Sequence, residues 1–322
     1  MAGGGASPGL LPMEPRHPCE DRVMKRLLVA SDLSPRSDRA VAQAAHLAAR
    51  FGARLVILHA VDDELPKSVF DAEREQAQRI LDETAARLRQ LPRDRIAIQV
   101  VGGLDFQAIL RTAREEAADL IVLGAHRRSI LEDVLTGTTV ERVIRNTTTP
   151  VLVVKQADAG DYACTLAALD LVDEASGVLR LAHGLAGGQT LYAMHVLGDA
   201  IMLQMKVASV GAAEIDDYQR LTRQQCEALL HEIARRADVP PGDWLPVVEW
   251  GVAAPAILTA AQTFGARLGV VGTRTRDKGA IERLLFGSVA ERLLLDMSCD
   301  VLAVPLAGAT PLPGADMIAT LG

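Results

Sequence analysis

Short apolar runs alternate with amphipathic stretches along most of this chain. Residues 26–31 read RLLVAS, and a helical pattern follows them. Then come an apolar run at 55–60, a long helical pattern over about 68–91 and a run at 96–101. A helix over about 105–117, a run at 120–123, a helix over about 137–146 and a run at 151–154 complete the series. Continuous apolar runs this short are strands buried on both faces. Separated by helical patterns, they make βαβ units around a parallel sheet, with right-handed crossovers placing helices on both faces. The long helix carries Glu75 and Arg79 at i,i+4, a pairing suited to a solvated face.

The pattern then starts again. RLLVASDLSPRSDRAVAQAAHLAARFGARLVILHAV is answered by TLAALDLVDEASGVLRLAHGLAGGQTLYAMHVLG. Asp32 meets Asp170, His59 meets His195, Gly124 meets Gly272, and Gly137 meets Gly287. The offset between these pairs ranges from 136 to 150, so insertions lie mainly in the middle of the second copy. A repeat of this length is a duplicated domain rather than a solenoid. The expected fold class is α/β, with two tandem, doubly wound, five-stranded parallel-sheet domains. The expected boundaries are a disordered tail at 1–22, domain 1 at 23–155, a linker at 156–162, domain 2 at 163–305 and a flexible tail at 306–322. Both tails are rich in Gly and Pro and show no period.

Composition narrows the picture further. The 322 residues fit two domains at roughly 150 residues each. Apolar residues make up 49% but aromatics only 3%, so the cores are aliphatic, and no aromatic platform for single-stranded nucleic acid is available. A net charge of −7 disfavours a general phosphate-backbone binder, so no nucleic-acid partner is expected. No apolar run approaches about 18 residues, which argues against a membrane span. Cys19, Cys164, Cys226 and Cys299 include no CxxC pair, and dispersed thiols suit a reducing compartment, so a cytoplasmic location is expected.

Two places could carry chemistry. Asp32 ends the first strand, where ligands sit in open α/β sheets, and its carboxylate could accept from a ribose or a base. It could equally cap the helix that follows, as could Ser34. The second place is Gly124-Ala125-His126-Arg127-Arg128, followed by Gly137-Thr138-Thr139 at a helix start. Glycines admit a ligand to the backbone, and a helix start offers free N–H groups to an anion. Gly-Thr at a helix start is also ordinary capping. His59 and His195 read best as half-buried histidines bonded to backbone. No GxSxG elbow, HExxH or complete Walker A sequence is present, so no turnover site is visible.

In combination, the duplicated architecture, the SDLS strand end, LHAV, ADLIVLG and GTTVERVIRNTTTPVLVV resemble the universal stress protein domain, and GSVAERLL repeats the resemblance in the second copy. The resemblance covers both copies and implies a stress-response module. It further implies five-stranded domains that pair through their last strands, either as a homodimer or, here, within one chain. A subset of the family binds ATP, with magnesium, on a Gly-x-x-Gly-(nine residues)-Gly-Ser/Thr loop. Carried over, the nucleotide site would comprise Ala30, Ser31, Asp32, Ala60, Leu123, Gly124, Arg127, Gly137, Thr138 and Thr139. Arg127 stands where the motif has its second glycine. Its side chain could block the phosphate path or grip phosphate directly. The second copy keeps Asp170, Gly272, Gly287 and Ser288, but its loop is two residues longer and has Asp277 in place of a glycine. An acid beside a triphosphate is repulsive, so this copy reads as degenerate. The alternative functions are a nucleotide-free scaffold for an unknown protein partner and an enzyme with a pocket between the copies.

Overall fold

The computed structural model describes residues 24–125, 138–274, 287–308 and 310–315. The expected tail at 1–22 and the candidate residues His126, Arg127, Arg128, Gly137 and Asp277 therefore lie outside the described residues. In domain 1, β1 (Arg26–Ala30), β2 (Arg54–Val61), β3 (Ile96–Gly102), β4 (Leu120–Gly124) and β5 (Val151–Val154) alternate with helices α1 (Pro35–Phe51), α2 (Lys67–Arg87), α3 (Asp105–Glu115) and α4 (Thr139–Asn146). Domain 2 repeats the order with β6 (Cys164–Ala168), α5 (Ala175–Ala186), β7 (Thr190–Leu197), α6 (Ala200–Val207), α7 (Ala212–Arg236), β8 (Leu245–Trp250), α8 (Ala253–Thr263), β9 (Leu268–Arg274), α9 (Ser288–Asp296) and β10 (Asp300–Leu306). Helix α6 has no counterpart in domain 1 and accounts for part of the extra length of the second copy.

The ten strands form one sheet, in the order β3-β2-β1-β4-β5-β10-β9-β6-β7-β8. Each half is parallel, and the halves meet where β10 runs antiparallel to β5, with Leu302 opposite Leu152. The last-strand pairing that the resemblance implied thus occurs within this chain, and it covers two strand edges that would otherwise be exposed.

Alternation along the strands explains the layers. Leu27, Val29, Leu55 and Ile57 face one side with α1 and α2, while Leu28, Val56 and Leu58 face the other with α3 and α4. Leu152 and Leu302 share the first face, and Val153 and Val301 share the second, so each aliphatic core runs unbroken across the seam. Helix α1 shows how sequence sets an element. Ser34 caps its start, Pro35 occupies the first turn, and Gly52 ends it in the left-handed region at φ 62°. Its Ala40, Val41, Ala44, Ala45 and Ala48 form the buried stripe that lets it lie close on the sheet.

Two segments read as loose from composition are tied down. In the linker, the Lys155 and Gln156 amides donate to Asp300 Oδ1 at 2.8 and 2.9 Å. Gly160 exchanges two bonds with the Gln43 amide group, and Asp161 pairs with His46 and Arg50. The His46 and Arg50 side chains hold the Asp161 carboxyl below its ordinary range. Part of the 306–322 segment expected as a flexible tail is folded against domain 2. Pro311 bridges Val172, and Leu312 and Ala315 are buried.

Candidate functional site

The carboxyl ends of β1, β2 and β4 surround a cavity of about 260 Å3 in domain 1. Its floor begins at Ser31, whose amide donates to Leu58 O at 2.8 Å and so continues the β1–β2 ladder. Leu33 then takes φ 59°, turning the chain out of the strand and into α1. Three hydroxyls lock this turn. Ser31 Oγ accepts from the Leu33 amide at 3.1 Å and lies 3.0 Å from Ser37 Oγ, while Ser34 Oγ accepts from the Ser37 amide. Asp32 stays exposed, with Oδ1 accepting from the Ser34 amide at 3.0 Å. Partial burial opposes its ionisation, but hydrogen bonds from Ser34 and Ser37 outweigh it and hold the carboxyl below the usual range. Asp32 is therefore an anionic acceptor at neutral pH. It also serves the turn by holding the Ser34 amide, whereas the cap of α1 is Ser34 itself.

His59 lies beside it, half-buried, with Nδ1 donating to Ser31 O at 2.8 Å. His195 repeats the arrangement, donating to Leu169 O at 2.7 Å, and burial pushes its pKa down. Both histidines brace the strand end, as expected from sequence.

Ala30, Ser31, Asp32, Ala60, Leu123, Gly124 and Thr139 all line the domain 1 cavity. Thr138 does not; it caps α4, accepting from the Glu141 amide. Arg36, Ser37, Leu58, Asp105, Ile109 and Val140 also line the cavity, and sequence reasoning did not single them out. Asp105 matters because it accepts a hydrogen bond from the Thr139 hydroxyl, which is therefore engaged rather than free for a ligand. Gly124 serves packing as well as access. A Cβ there would lie 3.2 Å from Arg36 O, so β4 passes unusually close to the first turn of α1. Gly124→Ala should cost about 1–2 kcal/mol through this overpacking, read as a lowered midpoint in chemical denaturation.

Domain 2 has a matching cavity of about 300 Å3 that includes Asp170, Gly272, Gly287 and Ser288. Its chemistry is different. Ser31, Ser34 and Ser37 are replaced by Leu169, Val172 and Ala175, Asp105 by Ala253, Thr139 by Val289, and Arg36 by Glu174. A Cβ on Gly272 would meet Leu306 Cδ1 at 2.7 Å, so the end of β10 lies over this glycine. The C-terminal segment then clasps the loop edge, with the Thr310 amide donating to Glu174 Oε2 at 3.0 Å and the Leu312 amide to Leu171 O at 3.1 Å. The reading of domain 2 as degenerate rested on its longer loop, on Asp277 and on Val172 in place of Ser34; Leu169, Ala175 and Val289 extend that loss of hydroxyls, and Glu174 reverses a charge.

Among the described residues, no three His, Cys, Asp or Glu side chains converge to hold a metal ion. No described helix is long and apolar enough to cross a membrane.

The sequence profile of the Universal stress protein family matches residues 24–155 and again residues 165–305. A universal stress protein of Methanocaldococcus jannaschii is 23% identical over 159 residues, covering 42% of this chain and 98% of its own. One from Thermus aquaticus, named for its place in the QAH/OAS sulfhydrylase 3′ region, is 33% identical over 141 residues, covering 41% of this chain and 100% of its own. The crystal structure of a universal stress protein from Archaeoglobus fulgidus superposes with a TM-score of 0.61 at 18% identity, covering 87% of this chain and 98% of that one. With strand order, strand-end cavities and two profile matches in agreement, the chain belongs to the universal stress protein family and carries two of its domains in tandem.

Proposed function

We propose that domain 1 binds an adenine nucleotide and that domain 2 is a nucleotide-free copy supporting it, the whole acting as a ligand-responsive module rather than an enzyme. The observation that carries this reading is the asymmetry of the two cavities. Among the described residues, only the first combines an anionic strand-end acceptor, Asp32, with polar loop hydroxyls and a cationic side chain, Arg36. Asp32 would accept from the ribose hydroxyls, and the aliphatic walls at Leu58, Ala60, Ile109 and Leu123 would take the base. At about 260 Å3 the cavity lies at the small end of ligand pockets, so the nucleoside would fill it and the phosphates would extend beyond. The start of α4 lies in that direction, where helix amides favour an anion. Magnesium would arrive with the phosphates and neutralise their charge. Occupancy would bias the order of the surrounding loops and so the binding of a protein partner.

The engaged Thr139 hydroxyl favours the rival reading, a nucleotide-free scaffold, because it removes one donor from the phosphate end. Isothermal titration of the full chain with ATP and magnesium separates the two. We expect one site per chain, abolished in Gly137→Asp. Absence of heat above that control at millimolar ligand would establish the scaffold instead.

A further inference from the structure

A second cavity, of about 440 Å3, opens at the seam between the domains. Its wall is shared, with α1, α4 and β5 of domain 1 facing α9 of domain 2. Arg36, Ala125 and Val140 line both this cavity and the domain 1 cavity, so the two are adjacent. Arg36 and Arg39 stand three residues apart on α1, on the same face of adjacent turns. Neither guanidinium makes a hydrogen bond or ion pair with the described residues. The remaining cation, Lys155, is committed, with Nζ donating to Leu294 O and Met297 O at 2.6 and 2.7 Å. Glu141 and Glu291 line the same cavity, so the described lining carries three cations against two carboxylates. Domain 2 has Glu174 and Gly177 at the positions of Arg36 and Arg39, so the arrangement is unique to domain 1.

We propose that this seam cavity is a polyphosphate subsite, in which Arg36 and Arg39 grip the outer phosphates of a nucleotide whose nucleoside sits in the domain 1 cavity. The inference rests on the nucleotide reading above and extends it. Planar guanidinium forks match phosphate oxygens in pairs, and a partly enclosed site strengthens each contact. An arginine pair would supply phosphate contacts that the Thr139 hydroxyl, given to Asp105, does not. Because α9 forms one wall, a long phosphate chain would contact both domains, whereas a nucleoside or monophosphate would contact one. The subsite therefore confers selectivity for phosphate number.

Calorimetric titration of the full chain with adenosine, AMP and magnesium ATP tests this. Wild type should bind ATP more tightly than adenosine. In the Arg36→Ala/Arg39→Ala double variant, ATP affinity should fall by roughly tenfold per arginine, and in Arg39→Ala alone, whose side chain lies outside the domain 1 cavity, ATP affinity should fall about tenfold while adenosine affinity is unchanged. Arg39 is exposed and Arg36 half-buried, so the fold should persist, checked by an unchanged melting curve. An ATP affinity within about twofold of wild type would overturn the subsite and leave the nucleotide reading intact. If wild type binds no adenine compound, that reading fails, and inorganic tripolyphosphate alone decides the subsite. Binding by wild type that the double variant loses sustains it, and no binding by wild type, or binding the variant retains, overturns it.

Discussion

Asp300→Ala should lower the stability of the chain by about 3–5 kcal/mol, the cost of breaking a buried charged network from one side. Asp300 opens β10 and is 2% exposed. Its Oδ1 accepts from the Lys155 and Gln156 amides, and its Oδ2 accepts from the Tyr162 hydroxyl at 3.0 Å. One carboxylate therefore ties the segment leaving domain 1 to the strand that joins the domains. Burial, followed by the Asp300 charge, pushes the Tyr162 pKa well up, so the phenol is neutral and donates. Alanine would strand three donors in a site that water cannot readily reach. Asn is the informative contrast. Its carbonyl oxygen can still accept from both amides, and the tyrosine hydroxyl can rotate to accept from its amide group. The expected cost of Asp300→Asn is about 1–2 kcal/mol. Guanidinium denaturation of the three proteins checks this, and an alanine variant within about 1 kcal/mol of wild type would show that the network contributes little.

The same residue marks where sequence reasoning reaches its limit. The strands were legible because double-sided burial demands continuous apolar runs, and residues 26–31 and 151–154 satisfy that demand locally. The linker reads QADAGD, which has the composition of a loose connection. Its order comes from Gln43, His46, Arg50 and Asp300, all far away in sequence, and no local pattern encodes such partners. The clasp at 310–315 was missed for the same reason, since its partners Leu171 and Glu174 lie in another element. Helix α6 was missed because the alignment of the copies absorbed it as an insertion.

For the candidate site, Asp32 could be found from its place at the end of the first strand, and Gly124 and Thr139 from the loop and the helix start that follow the fourth strand. Arg36, Ser37 and Asp105 converge from separate elements and belong to no short motif. A signal did exist. Setting SDLSPRS against LDLVDEA, residue by residue, shows three serines replaced by apolar residues and Arg36 replaced by an acid. Read as chemistry rather than drift, those exchanges point to two cavities of different chemistry, with serines and an arginine at the first strand end only.

That asymmetry carries the second large expected effect. Asp32→Ala should weaken adenine nucleotide binding roughly 10- to 100-fold, the loss expected when a charged acceptor is removed from a ligand hydroxyl. Asp170→Ala, at the equivalent strand end, should leave both affinity and stoichiometry unchanged. The acid alone does not make a site, because Asp170 is flanked by Leu169 and Val172 where Asp32 has Ser31 and Ser34. A loss of affinity in Asp32→Ala could also arise from the turn, since Oδ1 holds the Ser34 amide. Asp32→Asn separates the two causes. It keeps an oxygen for that amide but lacks the charge, so the turn survives while ribose binding weakens. The expected order of affinity is therefore wild type, then Asn, then Ala, with the melting curve of the Asn variant unchanged. Titration of the three proteins and of Asp170→Ala with magnesium ATP checks this, and equal losses in Asp32→Ala and Asp170→Ala would mean that both domains bind and that the lost hydroxyls do not matter.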